Sequence, residues 1–516
     1  MPATHAMNAA DAVLRPALAA GHARKAALKW RAETVSYEQL YDRVLRAAAV
    51  IRAHGVEPEQ RVALLLKDYP GLVYAHLGAM AAGAVAVAVN LRAAAADLAH
   101  VLADSRARLL ILDREFMITA QAALERLAHR PAVILAEAGN PHRDAWMALV
   151  GKHEPLAAPL PMSPDDMAFW IYTSGTTGAP KAAVHVHKDV RNATDYTSVL
   201  GLGHGDTVFA TSKLFFAYAL GNAMFASLQK GATTVLLDAW PDPDSAADII
   251  GRHKPTLVFS VPTLYRNMLE RGVAAAPAFK QVRHYVSAGE RLPEELWRRW
   301  KEATGVSILD GMGTSETIYM MLTNRPEATK PGSSGQPAPG VECKLADALG
   351  HAVPAGEPGI LWARIASRAD RYWNAQAKSQ EAFQGAWFRT GDMYTVDAEG
   401  YWHHQGRADD MLKISGQWVS PGEIEDAALA HAGVKDACAV GWPDADGLPR
   451  VALFVVAPQA GANEVALAEN IRAALKAHLS PYKIPKWIKP VAEIPRTATG
   501  KAQRYVLRQK YESAVR

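Results

Sequence analysis

Ten consecutive residues, Tyr172-Thr173-Ser174-Gly175-Thr176-Thr177-Gly178-Ala179-Pro180-Lys181, concentrate hydroxyl groups and glycines and close on a lysine. Glycine lets a backbone approach an anion closely, and amide and hydroxyl donors can wrap phosphate oxygens. The spacing is not that of a Walker A loop, which needs four residues between its glycines and a lysine directly after the second. A bland surface loop does not string so many donors together, so the run reads as a phosphate-binding loop entered from the apolar residues 167–171. Other candidate ligands read as structural. His185 and His187 form an HxH, and His403 adjoins His404, but neither pair has further ligands at metal spacing. Cys343 and Cys438 have no recognised His/Asn constellation around them and read as buried thiols.

The elements that must hold these groups alternate between helix and strand. Residues 37–53 read as an amphipathic helix, 61–66 as a strand, 72–82 as a helix and 85–90 as an apolar strand. Further buried strands are expected at 208–210, 234–237 and 256–260, with a helix at 245–253. Short apolar runs between helices favour parallel or mixed sheets covered on both faces. The texture changes near residue 400. A helix at 421–430, strands at 437–440 and 451–456, a helix at 464–479 and a strand at 487–491 make a second, compact α+β unit. The expected division is a large α/β domain of mixed sheets sandwiched by helices, residues 1–408, and a small mobile α+β domain, residues 409–516.

Composition narrows the partners. With 516 residues, 49% of them hydrophobic, the chain should hold at least two cores, which excludes a disordered or collagen-like protein. Two cysteines offer no disulfide framework and fit a reducing compartment. No apolar run approaches the roughly 20 residues needed to span a bilayer, so a soluble, cytoplasmic protein is expected. The net charge of +4 is unevenly placed. Residues 471–516 carry eleven Lys/Arg against Glu493 and Glu512, a balance of +9, which leaves −5 for the rest. Nucleic acid, a membrane surface and phosphate-bearing small molecules are all partners such a tail could take.

Six further motifs follow the phosphate loop in order: Tyr285-Val286-Ser287-Ala288-Gly289-Glu290, Asp310-Gly311-Met312-Gly313-Thr314-Ser315-Glu316, Phe388-Arg389-Thr390-Gly391-Asp392, Gly406-Arg407-Ala408-Asp409-Asp410, Lys413-Ile414-Ser415-Gly416 and Pro495-Arg496-Thr497-Ala498-Thr499-Gly500-Lys501. With the loop, they make the whole chain resemble the adenylate-forming superfamily of acyl-CoA synthetases, adenylation domains and luciferases. The resemblance implies two half-reactions. A carboxylate first attacks the α-phosphorus of ATP to give an acyl-adenylate, and a thiol then displaces AMP. Fixed cations and donors are needed where charge builds on phosphate oxygens.

By that resemblance, Thr173, Ser174, Gly175, Thr176, Thr177, Gly178 and Lys181 hold the β- and γ-phosphates, and Glu316 holds Mg²⁺. Ser287, Ala288, Gly289 and Glu290, with Asp310, Gly311, Met312, Gly313 and Thr314, form the adenine walls. Asp392 accepts the ribose hydroxyls beside Arg407. Lys501 is the catalytic lysine at the α-phosphate and carboxylate. Asp409 is the hinge, and Gly416 borders the tunnel for the CoA thiol, with Tyr482 and Lys486 toward the CoA nucleotide.

Lys213-Leu214-Phe215-Phe216-Ala217-Tyr218-Ala219-Leu220-Gly221-Asn222 occupies the acid-pocket position as an aromatic-rich loop. An amino-acid enzyme needs a carboxylate near Ala217 to pair the substrate ammonium, and none is present. The Phe-Phe-Ala-Tyr string, with residues 285–290 and 411–421, resembles the benzoate-CoA ligase branch. Phe216 would gate the pocket, and Ala217, Tyr218, Ala288, Gly311, Gly313 and Ile318 would line it; the Tyr218 hydroxyl would meet either the carboxylate or a ring substituent. The expected enzyme is thus an AMP-forming aryl-CoA ligase using ATP, Mg²⁺ and coenzyme A. A short or branched aliphatic acid, or a carrier protein in place of CoA, are the alternatives. Small molecules, not nucleic acid or membrane, are the expected partners, and a homodimer is left open.

Overall fold

The computed structural model describes residues 7–511 apart from 176–177, 193–195, 348, 355, 409–410, 415–416, 445–447, 458–463 and 497–501. Two large sheets face each other across buried helices. The first orders its strands as Arg371–Tyr372, Gly178–Val186, Met167–Gly175, Val85–Ala88, Arg61–Leu65, Leu109–Asp113 and Ala132–Ala136. The second runs Gln336–Pro337, Met320–Thr323, Ile308–Gly313, His284–Ser287, Leu257–Ser260, Thr207–Ala210, Thr233–Val235, Ala26–Trp30 and Glu33–Ser36. Both centres are parallel; the second sheet is antiparallel at both edges, and the first only at the Arg371–Tyr372 edge, Ala132–Ala136 pairing parallel at the other.

One apolar core joins the two sheets through the helices Ala9–Ala19, Tyr37–Ala53 and Pro70–Ala81. Every residue of Pro70–Ala81 is buried, because its sequence is apolar on all sides and lacks a solvent stripe. Tyr37–Ala53 does have a stripe, and a capping box between Ser36 and Gln39 fixes its start. Separate cores back the outer face of each sheet, one with Ala95–Ser105, the other with Pro243–His253 and Glu294–Thr304.

A third sheet, Glu342–Ala346, Gly359–Arg364, Trp387–Val396, Phe383–Gln384 and Trp402–Arg407, has its own core under Trp402 and Tyr394. Beyond it, Leu412–Ile414 pairs with Gln417–Val419, and the strands Asp436–Pro443, Pro449–Val456 and Trp487–Pro490 form a small sheet. The helices Pro421–Leu429 and Glu464–His478 cover one face of that sheet and Arg504–Lys510 the other, each with a core of its own. The element types read from sequence agree throughout these regions, with ends displaced by a few residues.

Candidate active site

The donor-rich run is the tip of a hairpin. Met167–Gly175 and Gly178–Val186 are antiparallel, with Thr173 opposite Lys181 and Gly175 opposite Gly178. Threonine suits an extended chain, so what reads as a loop is strand as far as Gly175; Thr176 and Thr177 lie outside the described residues. Lys181 leans off the hairpin so that its Nζ rests 3.6 Å from the centre of the Tyr372 ring. Burial lowers its pKa, and the nearby Glu316 carboxylate works against that shift. Tyr372 pairs with Ala183 on the edge of the hairpin, and its hydroxyl donates to Glu316 Oε1 at 2.8 Å. A cation and a carboxylate thus meet on two faces of one tyrosine that the sequence reading passed over.

Glu316 is also fixed from behind. The buried His185 lies 3.0 Å from Asp189 through Nδ1 and 2.8 Å from the Ser315 carbonyl through Nε2, with its ring stacked on Phe169 at 4.7 Å. His187 accepts a hydrogen bond from the Ala9 amide at 2.9 Å. The HxH is therefore two packed histidines, one of which ties the hairpin to the loop bearing Glu316.

The strand ends of the second sheet form another wall. Ser287 stands beside Asp310 in parallel register. Ser287 and Ala288 are buried, and Gly289 turns the chain at a φ of 90°, which glycine tolerates. Glu290 accepts from Thr263 Oγ1 at 2.9 Å. Burial holds the Asp310 carboxyl well above the usual range, while its carbonyl takes the amide and side-chain donors of Asn324 at 2.9 and 3.0 Å.

On the third sheet, Asp392 and Arg407 are cross-strand partners, and Arg407 Nη1 lies 3.0 Å from Asp392 Oδ2 and 3.2 Å from the Thr390 carbonyl. His404 Nε2 approaches the other carboxylate oxygen at 3.3 Å. The Arg407 charge is felt at both Lys181 and Tyr372, and Tyr394 feels the charges of both Asp392 and Asp310. The three sheets thus bring their polar ends to one place.

The aromatic stretch is not a loop throughout. A helical run starts at Ala217 and widens into a π turn over Leu220–Ala226 before ending at Gln229. Such turns are frequent at functional sites. Here Gly221 lets the run meet another chain segment, since an added Cβ would stand 2.5 Å from the Ile318 carbonyl oxygen. Phe215 is buried, as core packing requires, and Phe216 is half-exposed beside it, with ring centres 4.1 Å apart. The Tyr218 hydroxyl donates to the Val286 carbonyl at 2.9 Å and lies 3.3 Å from that of Ser260. A hydroxyl shielded from water takes the backbone acceptors within reach. Ile318 is buried at a φ of 56°. Gly311 and Gly313 are pinned by strand Met320–Thr323: added Cβ atoms would lie 2.7 Å from the Leu322 carbonyl oxygen and 2.9 Å from that of Tyr319. Met312 and Thr314 are half-buried on the same strand end.

Another pair missed in sequence lies under this stretch. The buried Lys213 donates to the carbonyls of Leu237 and Ala239 and stands 3.9 Å from Asp68. Asp68 accepts from the Leu214 amide at 3.1 Å, and burial raises its carboxyl to about 6.

Lys501, Asp409 and Gly416 lie outside the described residues. Among the described residues on either side of Lys501, Arg496 pairs with Ala502 and the Gln503 amide donates to the Pro495 carbonyl at 2.8 Å. Arg496 grips Asp436 at 2.8 and 2.9 Å and is close enough to Glu290 to draw its carboxyl down against burial. Arg291 adds an ion pair to Asp426. Tyr482 is half-buried, and Lys486 reaches Asp444 at 3.3 Å and lies over Trp487.

The AMP-binding enzyme family matches residues 17–373, and the AMP-binding enzyme C-terminal domain matches residues 423–501. The 3-hydroxybenzoate–CoA ligase of Aromatoleum sp. (strain CIB) is 44% identical, over 98% of this chain and 97% of that one. Among solved structures, an anthranilate CoA ligase in complex with anthranoyl-AMP superposes with a TM-score of 0.90 at 34% identity, over 99% of this chain and 98% of that one. A benzoate CoA ligase from Burkholderia xenovorans LB400 superposes with a TM-score of 0.87 at 36% identity, covering 97% and 99%. With its three sheets converging on the motif residues, the chain belongs to the AMP-binding, adenylate-forming enzyme family.

Proposed function

We propose that the protein is an AMP-forming aryl-CoA ligase. It activates benzoate or a substituted benzoate with ATP to an aryl-adenylate and pyrophosphate, then transfers the aryl group to coenzyme A. The observation that carries this reading is the convergence of Lys181, Glu316 and Arg407, brought by three separate sheets, around Tyr372, with Asp392 held by Arg407. The likeness to ligases for 3-hydroxybenzoate, benzoate and anthranilate supports the aromatic acid.

In the first half-reaction a substrate carboxylate oxygen attacks the α-phosphorus, the bond to the bridging oxygen breaks, and pyrophosphate leaves with that electron pair. The hairpin residues Thr173 to Gly178, with Lys181, hold the departing phosphates. Residues 287–290 and 310–314 hold adenine, and Asp392 with Arg407 holds ribose. Glu316 is a single carboxylate with one oxygen tethered by Tyr372. That donor set suits Mg²⁺, which keeps several waters and binds through one or two carboxylates plus substrate phosphates. The bound ion supplies neutralisation of phosphate charge. Lys501 acts at the α-phosphate.

In the second half-reaction the thiolate adds to the acyl carbon and AMP leaves. Residues 1–408 and 409–516 act as two domains about Asp409, a division supported by the separate cores beyond Leu412. Gly416 borders the thiol path, with Tyr482 and Lys486 toward the nucleotide of CoA. Phe216, Ala217, Tyr218, Ala288, Gly311, Gly313 and Ile318 surround the ring, which gains from stacking and edge contacts.

Pyrophosphate release over benzoate, hydroxybenzoates, aminobenzoates, phenylacetate, cinnamate and short fatty acids, each with and without CoA, tests this. An aryl acid turned over only with CoA is the expected result. Preference for an aliphatic acid overturns the substrate class, and turnover indifferent to CoA overturns the acceptor.

A further inference from the structure

Lys181 and Glu316 carry opposite charges, lie close together and are partly shielded from water. Left to themselves they would collapse into a direct ion pair and be lost to a nucleotide. Tyr372 stands between them. We propose that Tyr372 is a positioning residue for adenylate formation: its ring seats the Lys181 ammonium while its hydroxyl aims the Glu316 carboxylate, keeping the two apart at a fixed spacing before ATP enters. The inference rests on the proposed function, in which those two groups serve the phosphates and their metal ion.

The tyrosine is built to hold still. It is 4% exposed, and its ring packs on Phe383 at 5.0 Å. Ser379 secures its backbone on both sides, accepting from the Tyr372 amide at 2.9 Å and donating to the Tyr372 carbonyl at 3.2 Å. The same segment wraps the loop that bears Glu316: the Ala369 amide donates to the Glu316 carbonyl at 2.7 Å, and Ser367 donates to the Thr317 carbonyl at 2.7 Å. Its register against Ala183 sets it beside the strand that carries Lys181. Backbone and side chain of one short segment therefore fix the acid, and the ring face fixes the cation. The hydrogen bond engages Oε1 and so orients the carboxylate.

Two variants separate the two contacts. Tyr372→Phe keeps the ring and removes the hydroxyl, whereas Tyr372→Leu removes both. Calorimetric titration of a non-hydrolysable ATP analogue, with and without Mg²⁺, reads binding independently of turnover, and thermal melts report folding. For Tyr372→Phe, the Mg²⁺ concentration giving half-maximal enhancement of analogue binding should rise about fivefold to tenfold, while affinity without Mg²⁺ stays at the parent value. For Tyr372→Leu, affinity without Mg²⁺ should fall as well. Tyr372→Phe should add nothing in a Glu316→Gln background. Parent-like Mg²⁺ dependence in a folded Tyr372→Phe protein, or an equal penalty with and without Glu316, overturns the proposal. Failure of the unaltered protein to bind the analogue would count against the proposed function itself.

Discussion

Arg407 Nη1 lies 3.0 Å from Asp392 Oδ2, and the two residues are direct cross-strand partners on the third sheet. The arrangement fixes a buried carboxylate without using up its capacity to accept, because a carboxylate offers about four lone-pair sites. Asp392→Asn removes the charge that strengthens hydrogen bonds from ribose hydroxyls. Such bonds are worth about 1.5–3 kcal/mol, so KM for ATP should rise roughly tenfold to a hundredfold while KM for the acid stays within about twofold. Equal increases for both substrates would contradict the ribose role.

Lys501→Ala should abolish pyrophosphate release yet spare thioester formation from a supplied aryl-adenylate. The asymmetry follows from a lysine used at the α-phosphate in one half-reaction only. Rapid-quench measurement of each half-reaction decides it, and equal loss of both sinks the two-conformation scheme.

The buried pair under the acid pocket invites a stability test. Lys213→Met would leave Asp68 without its nearest cation, and removing one partner of a buried pair costs about 3–5 kcal/mol. Urea denaturation should register that loss, and the Lys213→Met/Asp68→Asn double variant should recover much of it. Additive losses would show that the charges do not interact.

Acid should destabilise the fold early. Burial drives His76 down to about 3 and His187 to about 4. In the unfolded chain a histidine takes up its proton near pH 6.5. Below that pH the unfolded state binds protons that the folded state refuses, so stability falls from about pH 6.5 toward pH 4 and is flat above. The slope is at most about 1.4 kcal/mol per pH unit for each ring. A His76→Phe variant should flatten the decline of the urea midpoint between pH 7.5 and 5, and a curve parallel to the parent's would exclude this origin.

The motifs, the alternation of helix and strand, and the change of texture near residue 400 were legible because each is a local pattern. Contacts made by tertiary pairing were not. Tyr372 and Glu316 are 56 positions apart, and nothing near either residue signals the other. They meet because the short strand Arg371–Tyr372 pairs with the hairpin edge. Lys213 opens the aromatic-rich stretch, and nothing near it signals Asp68, far upstream, which the fold brings to 3.9 Å. The π turn escaped for a different reason: Phe215 and Phe216 mask the helical period, and the extra residue in the turn breaks it further. The Tyr218 hydroxyl meets the Val286 carbonyl, 68 positions away, a partner that no local pattern signals.

The enclosed helix Pro70–Ala81 also bears on how the chain is made. One of its walls includes Phe225 of the helical run Ala217–Gln229, which His76 meets edge-on at 5.7 Å, and the N-terminal strand Ala26–Trp30 joins the second sheet beside Thr233–Val235. A growing polypeptide therefore emerges from the ribosome with a wholly apolar helix that has lost its water and not yet gained its second wall. Chains of this kind fold by domains and stick to one another while incomplete. Expression of the enzyme should accordingly depend on chaperones that shield nascent segments, and truncations ending before Val235 should be insoluble.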